Sequence, residues 1–172
     1  MNIQGSISRL RALEPSDVEV LYRWENEPTL WRVSGTLAPF SHLTLSRLIE
    51  EQQYDIYATR QQRLIVESED GEVVGAVDLF EFDPQNLRAG VGILIDESFR
   101  RRGYAKDALL TLERYTKEIL HLHQLWCGIS SSNTASKALF ESAGYCEIGR
   151  RKEWTLAGDA WEDELFFQKI LR

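Results

Sequence analysis

Cysteine, long apolar runs and positive charge are all in short supply in this 172-residue chain. Its two cysteines, Cys127 and Cys146, are too few for a disulfide scaffold and form no CxxC pair, which suits a reducing cytosol. No apolar run approaches the roughly 18 residues of a membrane-spanning helix. Met1 to Ser6 lacks the basic and apolar regions of a signal peptide. A cytoplasmic protein with no membrane partner is expected. Lysine and arginine number 20 against 27 aspartates and glutamates, a formal net charge of -7. That surplus repels phosphate backbones, so nucleic acid is not an expected partner unless a local basic patch acts against it. Cationic partners, amines or basic peptides, suit it better. Low-complexity stretches, repeats and Pro/Gly/Ser-rich linkers are missing too. With 43% hydrophobic residues, the chain reads as one domain over residues 1–172 around a single core.

What is present alternates between strand and helix signals. Arg9 to Leu13 reads as a first strand. Pro15 sits where a first helical residue is tolerated, with Val18, Leu21 and Trp24 at helical spacing. Pro28 to Phe40 carries no period and reads as a loop, with Trp31 and Phe40 as aromatic residues able to line a pocket. A second helix is expected after Ser41 as N-cap, with Leu45, Leu48 and Ile49 forming its stripe. Leu64 to Val66 and Val73 to Phe82 flank Asp70-Gly71, a hairpin signal. Asp83 to Asn86 turns the chain into a further strand, Ala89 to Ile95. A long helix carries Ala105, Ala108, Leu109, Leu112, Tyr115, Thr116 and Ile119 on one face, and Leu125 to Ile129 is a strand. Thr134 to Ser142 is a short helix stopped by Gly144, and two closing strands flank Gly158-Asp159. The order predicts a mixed α/β (α+β) layer domain.

The chemistry concentrates in residues 93–105. A strand ending Ile93-Leu94-Ile95 runs through Asp96 to Phe99 into Arg100-Arg101-Arg102-Gly103-Tyr104-Ala105, where the long helix begins. First-turn N–H groups lack intrahelical partners, point outward and gain from the helix dipole, so a helix start attracts an anion. Gly103 lets a phosphate approach the backbone closely, and three arginines add positive charge. The physics describes an anion or pyrophosphate cradle; the competing reading is a solvated basic surface.

The spacing Arg100-x-x-Gly103-x-Ala105, set between a strand and a helix, resembles the acyl-coenzyme A loop of the GNAT superfamily of N-acetyltransferases. Asn133-x-x-Ser136, then Leu139-Phe140 and Gly144-Tyr145, is similar to that family's second cofactor segment. The interval between the two motifs holds one helix and one strand, as in the family. In particular, the chain resembles the branch holding spermidine acetyltransferases and the acetyltransferases of ribosomal-protein N-termini. The resemblance implies a mostly antiparallel twisted sheet, splayed between its fourth and fifth strands, with helices on both faces. It implies acetyl-CoA as co-substrate, held by the free backbone of Ile93 and Ile95. Arg100, Arg101, Arg102, Gly103, Tyr104 and Ala105 would hold the pyrophosphate, with Asn133 and Ser136 contacting the cofactor further along. An acceptor amine then attacks the acetyl carbonyl directly, and much of the rate comes from positioning. No metal is implied, and His121 and His123 have no third ligand nearby.

Two positions depart from the family pattern. Spermidine-type enzymes place a proton-donating tyrosine in the short helix where this chain has Phe140. Ser136 is the nearest substitute, the competing reading being a first-turn helix serine satisfied by backbone or cofactor. Related enzymes also place a glutamate where this chain has Gly90, leaving Asp78 and Glu81 as the carboxylates near the expected acceptor cleft. Strand alternation sends those two to opposite faces unless the strand is bulged. The resemblance favours Asp78, against a reading as an edge-strand charge. Catalytic candidates are therefore Ser136 and Asp78, and acceptor-binding candidates are Trp31, Asp78 and Glu81. The expected acceptor is a polyamine or diamine; the alternatives are a peptide N-terminus, or a catalytically silent acyl-CoA-binding module. Cys127 reads as core. Trp154 and Trp161 on the closing hairpin read as packing, or as the contact of a homodimer or higher homo-oligomer. From Glu67 to Asp83 the chain has acids and no lysine or arginine, which predicts an acidic surround to the acceptor cleft.

Overall fold

Eight strands form one sheet, in the order β1-β2-β3-β4-β5-β6-β8-β7, in the computed structural model, which describes residues 3–172. β1 (Ile3–Gln4), β2 (Ser8–Ala12), β3 (Gln62–Ser68), β4 (Val73–Asp83) and β5 (Arg88–Ile95) pair antiparallel in that order. β6 (Gln124–Ser130) runs parallel to β5, and β8 (Ala160–Ile170) pairs with both β6 and β7 (Cys146–Ala157). Four helices separate β2 from β3: α1 (Val18–Glu25), α2 (Pro28–Ser34), α3 (His42–Glu51) and α4 (Ile56–Thr59). α5 (Tyr104–Glu118) precedes β6 and α6 (Thr134–Ser142) follows it.

Strand alternation divides the apolar residues between two layers. Val77, Leu79, Ala89 and Val91 face Leu109 and Leu112 of α5 and Phe140 of α6. Ile65 and Ala76 face the other way, against Leu21 and Trp24 of α1 and Leu45 and Ile49 of α3. Helices thus cover both faces of a mostly antiparallel sheet.

The segment expected to be a loop contains α2. Seven residues are too few to show a helical stripe, and the end groups carry the signal instead. Pro28 opens the helix, the Glu27 carboxylate accepts the Thr29 N–H at 3.3 Å, and Gly35 closes it at φ 71. Pro15 starts a separate 3-10 turn, Pro15–Asp17, ahead of α1. The expected N-cap at Ser41 is present, its hydroxyl accepting the Thr44 N–H at 3.1 Å.

The feature that makes a site is where pairing stops. β5 and β6 pair only through Arg88↔Gln124, Ala89↔Leu125 and Gly90↔Trp126. Beyond Gly90, β5 stays on β4 to Ile95, and β6 stays on β8 to Ser130. The fourth and fifth strands anticipated from the sequence, here β5 and β6 because of the two-residue β1, therefore part into a cleft. β5 itself is regular there; the irregularity is in β4, between Phe80 and Asp83, with Glu81 at φ 47.

Candidate active site

The β5 side of the cleft is a turn fastened at both ends. Asp96 caps the short Glu97–Phe99 turn, accepting the Ser98 N–H at 3.1 Å and the Ser98 hydroxyl at 2.6 Å. The same carboxylate accepts the Trp24 indole N–H at 2.8 Å and the Arg23 guanidinium at 2.7 Å, tying the end of β5 to α1. Burial pushes the Asp96 carboxyl up, but the bonds from Ser98 and Trp24 and the Arg23 charge outweigh it and hold it below the ordinary aspartate value. The chain then turns through Arg101 at φ 59 and Gly103 at φ 90 before α5 begins at Tyr104. Asp107 N–H makes the first intrahelical bond, to the Gly103 carbonyl at 3.1 Å, so the N–H groups of Tyr104, Ala105 and Lys106 have no intrahelical partner.

The Asp107 carboxylate does not fill this cradle. It turns to the β1–β2 loop and accepts the Ser6 N–H at 2.8 Å, the Ile7 N–H at 3.2 Å and the Ser8 hydroxyl at 2.7 Å. Arg100 donates from Nε to the Ile95 carbonyl at 3.1 Å, and the Arg102 guanidinium lies 5.3 Å from the Phe99 ring centroid. Among the described residues none of Arg100, Arg101 and Arg102 pairs with a carboxylate. Their charge is left for an external anion. Ile93 packs toward α5 and Ile95 is buried, while the backbone from Val91 to Ile95 pairs with no strand but β4, and on its cleft side the Ile95 carbonyl accepts the Arg100 bond.

Across the cleft β6 leads into α6. The Asn133 side chain caps that helix, its Oδ1 accepting the Ser136 N–H at 3.1 Å. The Asn-x-x-Ser spacing therefore has a structural use in its own right, and the Ser136 hydroxyl makes no hydrogen bond among the described residues. Phe140 is buried edge-on to Tyr145 at 4.9 Å. Cys127 is buried as expected. Burial, with the Glu164 charge second, pushes its thiol up to about 12, which keeps it from serving as a nucleophile.

The face of the sheet turned toward α1 carries the acceptor-side candidates. Asp78 stands directly opposite Arg63 on β3 and takes two hydrogen bonds from it, Nε to Oδ1 at 2.7 Å and Nη2 to Oδ2 at 3.1 Å. Arg63 also pairs with Glu25 at the end of α1. The Trp31 indole N–H donates to the Glu25 carbonyl at 2.7 Å. The structure thus joins Trp31, Glu25, Arg63 and Asp78 in one patch, whereas Glu81 stands apart from them, exposed at the bulge. The absent glutamate at position 90 has a packing reason. A Cβ on Gly90 would sit 2.3 Å from the Phe80 ring, which meets Trp126 edge-on at 5.2 Å. Of the acids in the anticipated acidic surround, Glu67 pairs with Arg9 and Arg11, Asp78 with Arg63, and Asp83 with Arg88, whereas Glu69, Asp70, Glu72 and Glu81 form no ion pair among the described residues.

A parted parallel strand pair with an anion cradle at one strand's end is the architecture of an acyltransferase sheet, and a family comparison agrees. The profile described as "Acetyltransferase (GNAT) domain" matches residues 8–145, and the chain belongs to that family of N-acetyltransferases. It is 24% identical over 154 residues to spermidine N(1)-acetyltransferase from Vibrio cholerae, covering 90% of this chain and 87% of that one. It is 25% identical over 163 residues to an uncharacterised SPbeta prophage-derived N-acetyltransferase of Bacillus subtilis, covering 95% and 89%. The crystal structure of the Vibrio cholerae spermidine N-acetyltransferase with CoA and spermine superposes with a TM-score of 0.88 at 22% identity, over 96% of each chain. That similarity establishes the fold.

Three residues beside these candidates escaped the sequence reading: Glu25, Arg63 and Trp126. Each comes from a different element, so no spacing announces them. A separate signal was available, a glycine at position 128 inside an otherwise apolar strand, which marks a close approach. The group approaching it is Glu164.

Proposed function

We propose that this N-acetyltransferase moves an acetyl group from acetyl-CoA to the primary amine of a small cationic acceptor, a diamine or polyamine. The observation that carries the reading is the parting of β5 and β6, with arginines at the cradle that pair with no carboxylate among the described residues, and carboxylates on the face across from it. The residues fit the co-substrate. Arg100, Arg101, Arg102 and the free N–H groups around Gly103, Tyr104 and Ala105 would hold the pyrophosphate. The unpaired edge of β5 at Ile93 and Ile95 would hold the pantetheine amides as an added strand, with Asn133 and Ser136 opposite.

Acetyl-CoA, when bound, supplies the acetyl group and a thiolate that leaves. The protein's part is to bring the amine to it and to manage protons. One N–C bond forms as one C–S bond breaks, and the amine gives up a proton. Asp78 is proposed to hold the acceptor nitrogen and accept that proton, directly or through water. Ser136 is proposed to protonate the departing sulfur. Positioning two substrates in one cleft supplies most of the acceleration.

Thiol release from acetyl-CoA, measured with spermidine, with putrescine and with peptides beginning in Ser, Ala or Met, tests the reading. Saturable release with a polyamine is expected. Saturable release with peptides and none with polyamines would overturn the acceptor class. The arginine braces on Asp78 and Glu164 lower the net charge of the acceptor face, and that observation makes a peptide N-terminus the second reading.

A further inference from the structure

We propose that Glu164 is a second acceptor-binding carboxylate, on the β6–β8 wall, holding the acceptor's distal ammonium, and that Arg151 occupies its place until the acceptor arrives. The inference rests on the cationic-amine reading above and adds a residue and a competition to it.

Register puts Glu164 on the right face. Gly90 and Trp126 are paired in parallel, so their substituents share a side, and the Phe80–Trp126 contact confirms that this is the Asp78 side. β6 pairs Gly128 with Phe166 and Ser130 with Glu164, and side chains of directly opposed residues also share a side. Trp126 and Phe166 stack at 5.3 Å accordingly. Gly128 lies two residues past the last β5–β6 pair, within the cleft. A Cβ there would sit 2.7 Å from Glu164 Cδ and Oε2, so the carboxylate rests over backbone that only a glycine leaves open. Gly92, on the opposite wall, is paired with Asp78, whose Oδ2 lies at ordinary contact distance, 3.6 Å, from a Cβ position there. The cleft is therefore flanked by two carboxylates, one per wall.

The two differ in how they are occupied. Arg63 takes both oxygens of Asp78. Arg151 takes only Oε1 of Glu164, at 2.7 Å, and Oε2 accepts no hydrogen bond among the described residues. Arg63 is the more buried of the two arginines, its side chain 23% exposed against 45% for Arg151. The Arg151 guanidinium also lies 4.8 Å from the Trp154 ring centroid and 5.3 Å from that of Phe166. An exposed cation held by one carboxylate oxygen and two aromatic faces marks a shelf suited to cations. An alkylammonium has the same chemistry and would compete with it.

Putrescine and its monoamine counterpart butylamine separate this assignment from a purely structural ion pair, with steady-state kinetics and calorimetric titration onto CoA-loaded protein. The wild type is expected to favour putrescine by about 10-fold in kcat/KM, the scale of one charge-assisted contact. Glu164→Gln should remove that preference through KM, with kcat and butylamine little changed. Gly128→Ala, which pushes the carboxylate aside without removing it, should do so in part. Arg151→Met should lower the putrescine KM about 3-fold, because the internal competitor is gone; loss of a structural brace would raise it. Equal effects of Glu164→Gln on both amines, or a raised putrescine KM in Arg151→Met, would overturn the proposal. If no amine is turned over, the catalytic reading fails by itself and titration decides this one. Putrescine binding lost in Glu164→Gln, with CoA affinity intact, supports the assignment; binding unchanged, or no binding to the wild type, refutes it.

Discussion

The proposed cofactor cradle and the proposed acceptor face lie on one cleft and handle charge in opposite ways. At the cradle, three successive arginines have no carboxylate partner among the described residues, and backbone N–H groups stand open beside them. At the acceptor face, Glu25 and Asp78 share Arg63, and Glu164 has Arg151. Guanidinium groups tolerate solvent exposure, so the cradle can wait open for its anion. Half-buried carboxylates on one patch repel each other and lose solvent, so the acceptor face is stable only with a cation already in place. A basic site of this kind shows its charge directly, whereas an acidic one keeps its charge behind internal arginines.

The largest expected effect breaks the braced side. Arg63→Met leaves Glu25 and Asp78 facing each other without a cation and should cost about 3 kcal/mol, read by urea denaturation at neutral pH. A loss near zero would mean the carboxylates are not held by that arginine. On the cradle side, Gly103→Val forces a β-branched residue to φ 90 and should weaken CoA binding about 30-fold by calorimetry, with a smaller effect on folding. Unaltered CoA affinity would place the anion site elsewhere.

Asp96 links the two sides, since it ends β5 and takes bonds from Trp24 and Arg23 of α1. Its folded carboxyl lies below the ordinary value, so its contribution is complete above the unfolded value and is lost as pH falls through the folded one. Asp96→Asn should therefore cost about 1.5 kcal/mol at pH 7. The gap from the wild type should narrow as pH falls below the ordinary aspartate value and through the depressed folded one, as followed by denaturant titration at neutral and acid pH; a gap independent of pH would show that charge is not what Asp96 contributes. The smallest effect separates the two roles of the Asn-x-x-Ser segment. Asn133→Ala removes the α6 cap and should cost about 1 kcal/mol in stability. Ser136→Ala leaves that cap in place, so any fall in kcat it causes reports on the leaving sulfur.

The same contrast governs what could be read from the sequence. The cradle is contiguous, and Arg100-x-x-Gly103-x-Ala105 between a strand and a helix states its geometry directly. The hairpin at Asp70-Gly71, the Ser41 cap and the α5 stripe up to Thr116 were legible for the same reason: each signal is local; Ile119, expected on that stripe, instead caps the helix end and is exposed. The α2 helix was not, because its information lies in Pro28 and Gly35 at its ends, not in a period. The acceptor face was hardest. Asp78 could be named, but its partner Arg63 is set by the β3–β4 register and Glu164 by the β6–β8 register. A shift of one residue in either would turn those side chains to the opposite face. Gly90 looked like a lost catalytic position, and the Phe80 ring explains it only once the strands are paired.

Whether the proposed acceptor face is acidic and braced by its own arginines can be read from kcat/KM for amines of similar length carrying one, two and three positive charges. A rise with each added charge is expected, flattened by about 0.5 M salt because screening shortens the reach of the carboxylates. Values independent of acceptor charge at low salt would contradict it.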